Sequence, residues 1–263
     1  TPAGEFNTTL GYFYGLSLKK LGGTFEYGAS RGVYDNNYYT SDLGFQVINN
    51  KVVYETFVNH NLHQPWKMFR NSYNNLFYTY ATHYQTGKSV ANEFNLNLFA
   101  TFLDYNSIFG GGGFTPGVSY DYFEPRVEGR FNQTVKYYYS YIGYSSDYRK
   151  KLAVDADFNL SNFIDQFVSE GYTLNVKLRY RFSDKLTVKF ISSYGFDPYN
   201  LGWVDITPDD EIIYGLRYLH TYTNELNAVY TFKNDMFLSV NVRHYWNTAE
   251  YRKYLSLLDN GEF

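Results

Sequence analysis

The sequence predicts an all-β fold: an antiparallel transmembrane outer-membrane β-barrel with roughly a dozen strands in this chain. Apolar and polar residues alternate with a period of two along most of the 263 residues, as in strands that bury one face. Several of these segments have ten or more residues, close to the 9 to 11 that a tilted strand needs to cross hydrocarbon. The composition includes 31 Tyr and 23 Phe, residues that suit strands and membrane interfaces.

The alternation is clearest in residues 172–183, where Tyr172, Leu174 and Val176 begin an apolar row and Thr173 and Asn175 begin a polar one. A short turn at 183–185 then leads into a second alternating segment, as expected for a hairpin. The remaining predicted strands lie at about 6–19, 24–30, 52–59, 72–84, 93–102, 135–144, 152–160, 213–231 and 236–246. Short turns at 85–89 and 232–235 contrast with longer links at about 31–51, 104–122 and 195–210.

Strand length separates a membrane barrel from a soluble sandwich, whose strands usually have about five or six residues. The apolar rows also end in aromatic residues, which is typical of the two girdles of outer-membrane barrels. No apolar run of about 18 residues is present, so a chain that crosses a membrane must do so as a closed barrel. The predicted interface aromatics are Tyr172, Phe182, Tyr194, Tyr222 and Phe232.

Charge and cysteine content exclude several partners and chemistries. The net charge is -3 with both signs interspersed, so we expect no nucleic-acid partner. The absence of cysteine excludes disulfides, thiolate metal sites and cysteine nucleophiles. We expect no cofactor. The chain starts at Thr1-Pro2 without a signal sequence, so either a signal was removed or the chain is a piece of something longer.

Charged residues on two neighbouring predicted strands form a candidate ladder inside the barrel. Asp155 and Asp157 lie on the polar side of one strand, and Lys177, Arg179 and Arg181 lie on the polar side of the next. If the strands pair, the ladder either lines a selective pore or neutralises itself and fills the lumen with side chains. We favour the second interpretation.

The candidates for site chemistry are few. The histidines at positions 60, 63, 83, 220 and 244 have no acidic residue at ligand spacing, and no Ser-His-Asp arrangement can be identified. Asp209, Asp210 and Glu211 form a candidate cation loop, although acidic loop residues are usually only solvated. The run Gly110 to Gly113 lacks the lysine of a phosphate loop and is interpreted as a hinge or tight fold-back.

Several segments, in one order along the chain, resemble a bacteroidete outer-membrane β-barrel family of unknown function. They are Ser41 to Phe45, Gln64 to Arg70, Gly110 to Gly113, Tyr120 to Arg126 and Ser145 to Lys150. In that family the barrel follows a carbohydrate-binding family-nine-like domain. The resemblance implies that residues 1–263 are a single β-barrel domain, part of a larger barrel with further strands. It implies no catalytic set.

We therefore expect a non-enzymatic integral protein of the bacterial outer membrane. Its partners are outer-membrane lipid and other outer-membrane or periplasmic proteins. It acts as a scaffold or docking subunit of an outer-membrane complex, or as a porin-like channel for small polar solutes. A rim-site outer-membrane hydrolase and a soluble β-sheet glycan-binding module, using the aromatics of 118–123 and 196–203, are the alternatives.

Overall fold

A computed structural model describes residues 10–38, 49–164 and 169–263, with no side-chain description for residue 169. Within these ranges every regular element is a strand, and fourteen strands are present. They are β1 (Phe13–Lys20), β2 (Phe25–Tyr34), β3 (Lys51–Leu62), β4 (Phe69–His83), β5 (Ser89–Phe102), β6 (Ser107–Phe114), β7 (Ser119–Asp121), β8 (Asn132–Thr134), β9 (Lys136–Ser145), β10 (Leu152–Ile164), β11 (Ser169–Arg181), β12 (Leu186–Ile206), β13 (Ile212–Lys233) and β14 (Met236–Ser256).

Twelve strands form one antiparallel sheet in the order β1-β2-β3-β4-β5-β6-β9-β10-β11-β12-β13-β14, which confirms the all-β prediction and the predicted strand number. β7 and β8 pair separately as a small ribbon. Consecutive strands are neighbours throughout the large sheet, because each hairpin register keeps apolar residues on one face. β1 and β14 are the sheet edges and do not pair with each other, so the predicted closure into a barrel is not present in this sheet.

The two ends of the sheet differ in how they connect strands. One end, here called the short-turn rim, has only turns of two to six residues, at 21–24, 63–68, 103–106, 146–151, 182–185 and 234–235. The other end, the long-connection rim, includes the described residues 35–38 and 49–50 and the segment 115–135 that carries β7 and β8. The turn predicted at 85–89 lies at the long-connection rim, whereas the one predicted at 232–235 lies at the short-turn rim.

Two predicted links are largely strand. The glycine run belongs to β6 and not to a hinge, and most of 195–210 belongs to β12. β12, β13 and β14 have 21 or 22 residues, or about 70 Å at 3.3 Å per residue. Register shifts occur between Asp197 and Asn200 and between Trp203 and Asp205, and such bulges let a long sheet bend.

The exposure of the two faces is the reverse of that in a water-soluble sheet. Along β9 the exposed positions include Tyr138, Ile142 and Tyr144, while the intervening Tyr139 and Tyr141 are partly buried. Among the described residues only eight apolar side chains other than proline are buried, and several of these lie near the long-connection rim. Along the strands most aliphatic side chains therefore face outward, and the enclosed side carries the polar side chains together with aromatic ones such as Phe77 and Phe99.

Candidate functional site

A row of polar side chains crosses the enclosed face from strand to strand. The register places each member directly opposite the next, so a line of amides and hydroxyls, with Glu26 at one end and glycines at positions 111 and 195, runs across the sheet. Amides and hydroxyls can both donate and accept hydrogen bonds, so this face can bind water or polar solutes. The row is Glu26, Asn59, Asn75, Asn97, Gly111, Tyr141, Asn159, Thr173, Gly195, Thr221 and Asn247.

Three tyrosines of β9 reach across the glycine strand β6 to polar residues of β5. Tyr137 donates to Glu93 Oε1 at 2.8 Å, Tyr141 donates to Asn97 Oδ1 at 2.5 Å, and Tyr139 donates to Asn95. A Cβ atom at Gly111 would lie 2.9 Å from the Tyr141 hydroxyl, and one at Gly113 would lie 2.7 Å from the Tyr139 ring. The glycines thus leave the space that these tyrosines occupy.

The predicted charge ladder forms at one rung. Asp155 lies opposite Lys177 in the β10–β11 pair, with Lys177 Nζ 3.2 Å from Asp155 Oδ2. Ser145 and Tyr148 also donate to Asp155. Asp155 therefore has three partners on the enclosed face, as expected for mutual charge satisfaction.

The other ladder residues pair differently. Asp157 accepts hydrogen bonds from Asn159 at 2.8 Å and Asn175 at 2.7 Å. The Arg179 guanidinium lies 4.4 Å from the centre of the Tyr148 ring and donates to backbone carbonyls of the β9–β10 turn. Arg181 lies at the end of β11, where its backbone N–H bonds to Lys151 O at 2.8 Å. Sequence alone could not assign these partners because the pairs depend on the register.

The five predicted interface aromatics lie on the outward face in two groups. Tyr172, Tyr194 and Tyr222 cluster on β11, β12 and β13, with ring centres 5.8 and 4.6 Å apart. Phe182 and Phe232 lie toward the short-turn rim, each packed edge-on against the tyrosine two positions earlier. The two groups lie ten residues apart along a strand, about 33 Å at 3.3 Å per residue.

A second set of aromatics was missed by the sequence analysis. Tyr78, Phe94, Phe114 and Tyr138 lie opposite one another on β4, β5, β6 and β9. The Tyr78–Phe94 and Phe94–Phe114 rings stack at 4.3 and 5.0 Å. No single strand reveals this row, because its members come from four strands and become neighbours only through the register.

The segment 115–135, here called the rim bridge, connects two parts of the sheet, at β5 and at β12, that have four strands between them. The Tyr122 ring stacks on His83 at 4.2 Å beside the β4–β5 turn. Phe131 lies under Lys88 Nζ at 3.5 Å. On the other side, the Trp203 backbone N–H donates to Glu124 at 2.8 Å. The sheet is therefore curved enough for one segment to contact β5 and β12.

The rim bridge and the C-terminal residues cover part of the apolar face of β13. Arg130 bonds to Leu257 O at 3.1 Å and pairs with Asp259 at 3.2 Å. Tyr214 donates to Asn132 at 3.2 Å. On this one face of β13, exposure rises from the covered end to the uncovered end: Ile212 2%, Tyr214 1%, Leu216 5%, Tyr222 43%, Leu226 45% and Tyr230 37%.

A cavity of about 600 Å³ with a mixed polar and apolar lining lies on the enclosed face between β9 and β13. Its lining combines the Tyr139 and Phe163 side chains with hydrogen-bonding groups of Asn159, Thr173 and Asp197. A cavity of this size can hold a small polar solute.

The acidic loop at 207–211 does not gather its carboxylates around a common point. Among the described residues there is no group of three or more His, Asp or Glu side chains that could hold a metal ion, and this applies to Asp209, Asp210 and Glu211. The loop is instead closed by Asp210 N–H bonding to Thr207 O at 3.0 Å, with a positive φ of 62° at Asp210.

The histidines make contacts with aromatic and neutral polar side chains. His220 is hydrogen-bonded to Tyr194 at 3.0 Å, His83 to Thr86 at 3.0 Å, and His244 to Asn224 at 3.4 Å. His60 and His63 pack on Phe25 and Tyr73. In the described ranges no histidine is hydrogen-bonded to a serine or carboxylate.

The β9–β10 turn contains an ion pair outside the long strands. Asp147 is buried and accepts two hydrogen bonds at 2.9 Å from the Arg149 guanidinium. These bonds, followed by the Arg149 backbone N–H, lower the pKa of Asp147 to about 2. Arg149 also lies 3.3 Å from the centre of the Tyr105 ring, which Arg70 approaches from 4.4 Å. The cluster joins two turns of the short-turn rim to the start of β4.

The chain matches a known protein family over nearly its whole length. Residues 3–263 match the family described as Domain of unknown function (DUF5916). The chain belongs to this family. The family description assigns no function, so it adds no catalytic or binding residue to those found above. The bacteroidete origin and the carbohydrate-binding domain stay predictions, and the resembling segment Ser41 to Phe45 lies outside the described residues.

Searches among curated proteins and among solved structures gave no match.

The described residues contain no helix long and apolar enough to cross a membrane.

Proposed function

We propose that this chain is the membrane-embedded part of an outer-membrane β-barrel and serves, without enzymatic activity, as a scaffold or docking subunit. The reversed exposure of the two faces carries this proposal. Large apolar side chains such as Leu226, Ile142 and Leu174 are exposed, while the polar row is enclosed. Soluble monomers rarely leave so continuous an apolar surface in contact with water.

The spacing of the aromatic groups supports a lipid boundary. The 33 Å between the Tyr222 level and the Phe232 level, estimated above, becomes about 25 Å along the membrane normal when strands tilt by about 40°. That is the height of the apolar band in outer-membrane barrels. Between these levels the outward side chains of β13 are Asn224, Leu226, Ala228 and Tyr230.

The proposal requires the free edges of β1 and β14 to be paired in the membrane. Each unpaired backbone N–H or C=O costs several kcal/mol in hydrocarbon. The edge strand β14 has 21 residues, nearly all exposed. We therefore propose that both edges pair when the protein is inserted, either with each other or with further strands.

The rim bridge favours a scaffold over an open passage. It spans from the β4–β5 turn to β12 and is held at both sides by hydrogen bonds and ring contacts. The partners that surround Asp155 add to this closed character. A channel for small polar solutes is the second candidate, favoured by the cavity on the enclosed face that Asn159 and Thr173 line.

Single cysteines can test the lipid boundary because the chain has none of its own. We would replace Leu226 or Ala228 on the outward face, and Glu225 or Asn227 on the enclosed face, and attach an environment-sensitive fluorophore. In vesicles whose acyl chains carry a quencher, labels at 226 and 228 should be quenched and those at 225 and 227 should not. Equal quenching at all four positions would reject the proposal.

Conductance separates the scaffold from the channel. The purified protein in a planar bilayer should show no steady single-channel current as a scaffold. Steady pores would favour the channel.

For the rim-site hydrolase, loss of a detected activity when one of the five histidines is changed to alanine would be the decisive result. Free solubility as a monomer together with glycan binding would favour the soluble module.

A further inference from the structure

Charge is distributed unequally between the two rims. At the short-turn rim, residues 20–26, 63–70, 103–106, 146–151, 181–185 and 233–236 contain nine Lys or Arg and five Asp or Glu. At the long-connection rim, the described residues 34–38, 49–51, 83–89, 114–136, 205–212 and 256–263 contain five Lys or Arg and ten Asp or Glu. The short-turn rim is therefore the basic end of the molecule.

The cations of the short-turn rim lie beside exposed apolar side chains. Lys67 Nζ lies 4.3 Å from the centre of the Trp66 ring, and Trp66 is itself exposed. Four further turns have a basic residue within three positions of an exposed apolar one: Lys20 and Leu21, Lys151 and Leu152, Lys185 and Phe182, and Lys233 and Met236. Five of the six turns thus combine an apolar surface with a basic group, and the turn at 103–106 has no Lys or Arg.

Several of these cations form no ion pair within the described part of the chain. Asp147 is occupied by Arg149 and Asp235 by Lys233. Lys67, Lys150 and Lys185 form no ion pair with any described residue and are exposed. Long basic side chains next to apolar surface can extend their charge toward a head-group layer while the stem stays in contact with hydrocarbon.

We propose that the short-turn rim binds the head groups of anionic phospholipids in the adjacent leaflet. This inference rests on the membrane insertion proposed above. Leu152, Phe182 and Met236 lie on the same side of their strands as the apolar face, so the basic groups form a border along the lipid-facing surface. An acidic protein would match the basic groups but would need a second surface to cover the exposed apolar side chains beside them. An anionic phospholipid matches both, because its head group pairs with the cations and its acyl chains contact the apolar side chains.

The test compares lipid retention by the intact protein and a triple variant. The protein would be reconstituted in vesicles of phosphatidylcholine and phosphatidylglycerol, extracted in mild detergent, and its bound lipids measured by native mass spectrometry. The variant Lys67→Gln, Lys150→Gln, Lys185→Gln removes three free cations. Since one cation near an anionic surface contributes about 1 kcal/mol, each loss should weaken phosphatidylglycerol retention about fivefold at low salt.

Two controls make the result specific. The charge-conserving variant Lys67→Arg, Lys150→Arg, Lys185→Arg should retain phosphatidylglycerol like the intact protein. Removing three cations from the other rim, with Lys51→Gln, Lys88→Gln and Lys136→Gln, should leave retention unchanged.

The outcomes separate this inference from the proposed function. Insertion into both neutral and anionic vesicles without any preference for phosphatidylglycerol would overturn the head-group site alone. Equal loss in both glutamine variants would also overturn it, because the effect would then follow net charge. Failure to insert into any vesicle would instead overturn the membrane assignment.

Discussion

At the residue scale, the glycines of β6 explain how the enclosed face is organised. A Cβ at Gly111 would lie only 2.1 Å from Leu96 O, and a Cβ at Gly112 would lie 2.4 Å from Tyr139 O. The backbone of β6 therefore comes close to its neighbours, and the space above it is taken by side chains from β9. Glycine in a strand often marks such a close approach.

Replacing Gly111 by alanine should destabilise the protein by about 1 to 3 kcal/mol, because the added methyl group has no space beside backbone atoms. Urea unfolding in detergent or vesicles would measure the change. Gly117→Ala is the matched control, since its Cβ would meet nothing closer than Asn92 Nδ2 at 3.9 Å. Equal midpoints for the two variants would contradict the steric account.

The contribution of the Asp147–Arg149 pair to the stability of the protein should depend on pH in the acidic range. The pKa of Asp147 is lowered from 3.8 to about 2, so the pair stabilises the folded state above about pH 4 and this contribution is lost as the pH falls through about 2. The stability difference between the intact protein and Asp147→Asn should therefore be constant at neutral pH and shrink below about pH 4. Urea titrations across that range would show it, and a difference that grows in acid would be inconsistent with the pair.

At the element scale, the rim bridge is an irregular segment held by a few anchors. Phe131 contacts Lys88, Tyr120 and Gly261, so one side chain connects the β4–β5 turn with the C-terminal residues. Arg126 stacks on Trp203 at 4.2 Å. Segments with few anchors open locally at a lower free energy than the sheet.

Changing Phe131 to alanine should release the bridge while the sheet stays folded. We expect trypsin to cleave after Arg126 and Arg130 about tenfold faster, which corresponds to about 1.4 kcal/mol of local opening. Mass spectrometry of the fragments would identify the sites. Phe123→Ala serves as the control because that side chain is 50% exposed. Unchanged cleavage in Phe131→Ala would show that the bridge does not depend on this anchor.

At the scale of the whole molecule, the two faces of the sheet are the central feature. By register, most outward positions from β3 to β14 are apolar, and the enclosed positions carry most of the amides, hydroxyls and charges. Some enclosed polar groups bond to one another, as Asn97 does to Asn75 at 2.8 Å, while Asn59 Oδ1 has no partner among the described residues. Near the long-connection rim, the rim bridge and residues 257–263 cover part of the apolar face.

Leu226→Arg should weaken folding into vesicles by about 2 to 4 kcal/mol, because an arginine at the middle of the lipid-facing band is costly. Urea titration of the reconstituted protein would measure this. Asn227→Arg, one residue away on the enclosed face, should change stability much less. Similar values for both variants would indicate that water reaches both faces.

Much of the fold could be predicted because period-two alternation reports which residues share a face. Residues 172–181 and 152–160 are strands as predicted, and the Asp155–Lys177 pair was anticipated from their polar rows. The role of the glycine run was predicted wrongly as a hinge, since a glycine-rich strand has no side-chain alternation to identify it. The partners of Asp157 and Arg179 could not be predicted because they depend on the register.

The sequence alone determined the all-β class, the approximate strand number and which side of each strand is apolar, because these follow from local alternation. The tertiary structure alone decided that the sheet is open at β1 and β14, that aromatics from four strands form one row, and that segment 115–135 joins distant strands. The physical reason is that strand pairing and curvature bring together residues far apart in the chain, and no local pattern encodes those distances.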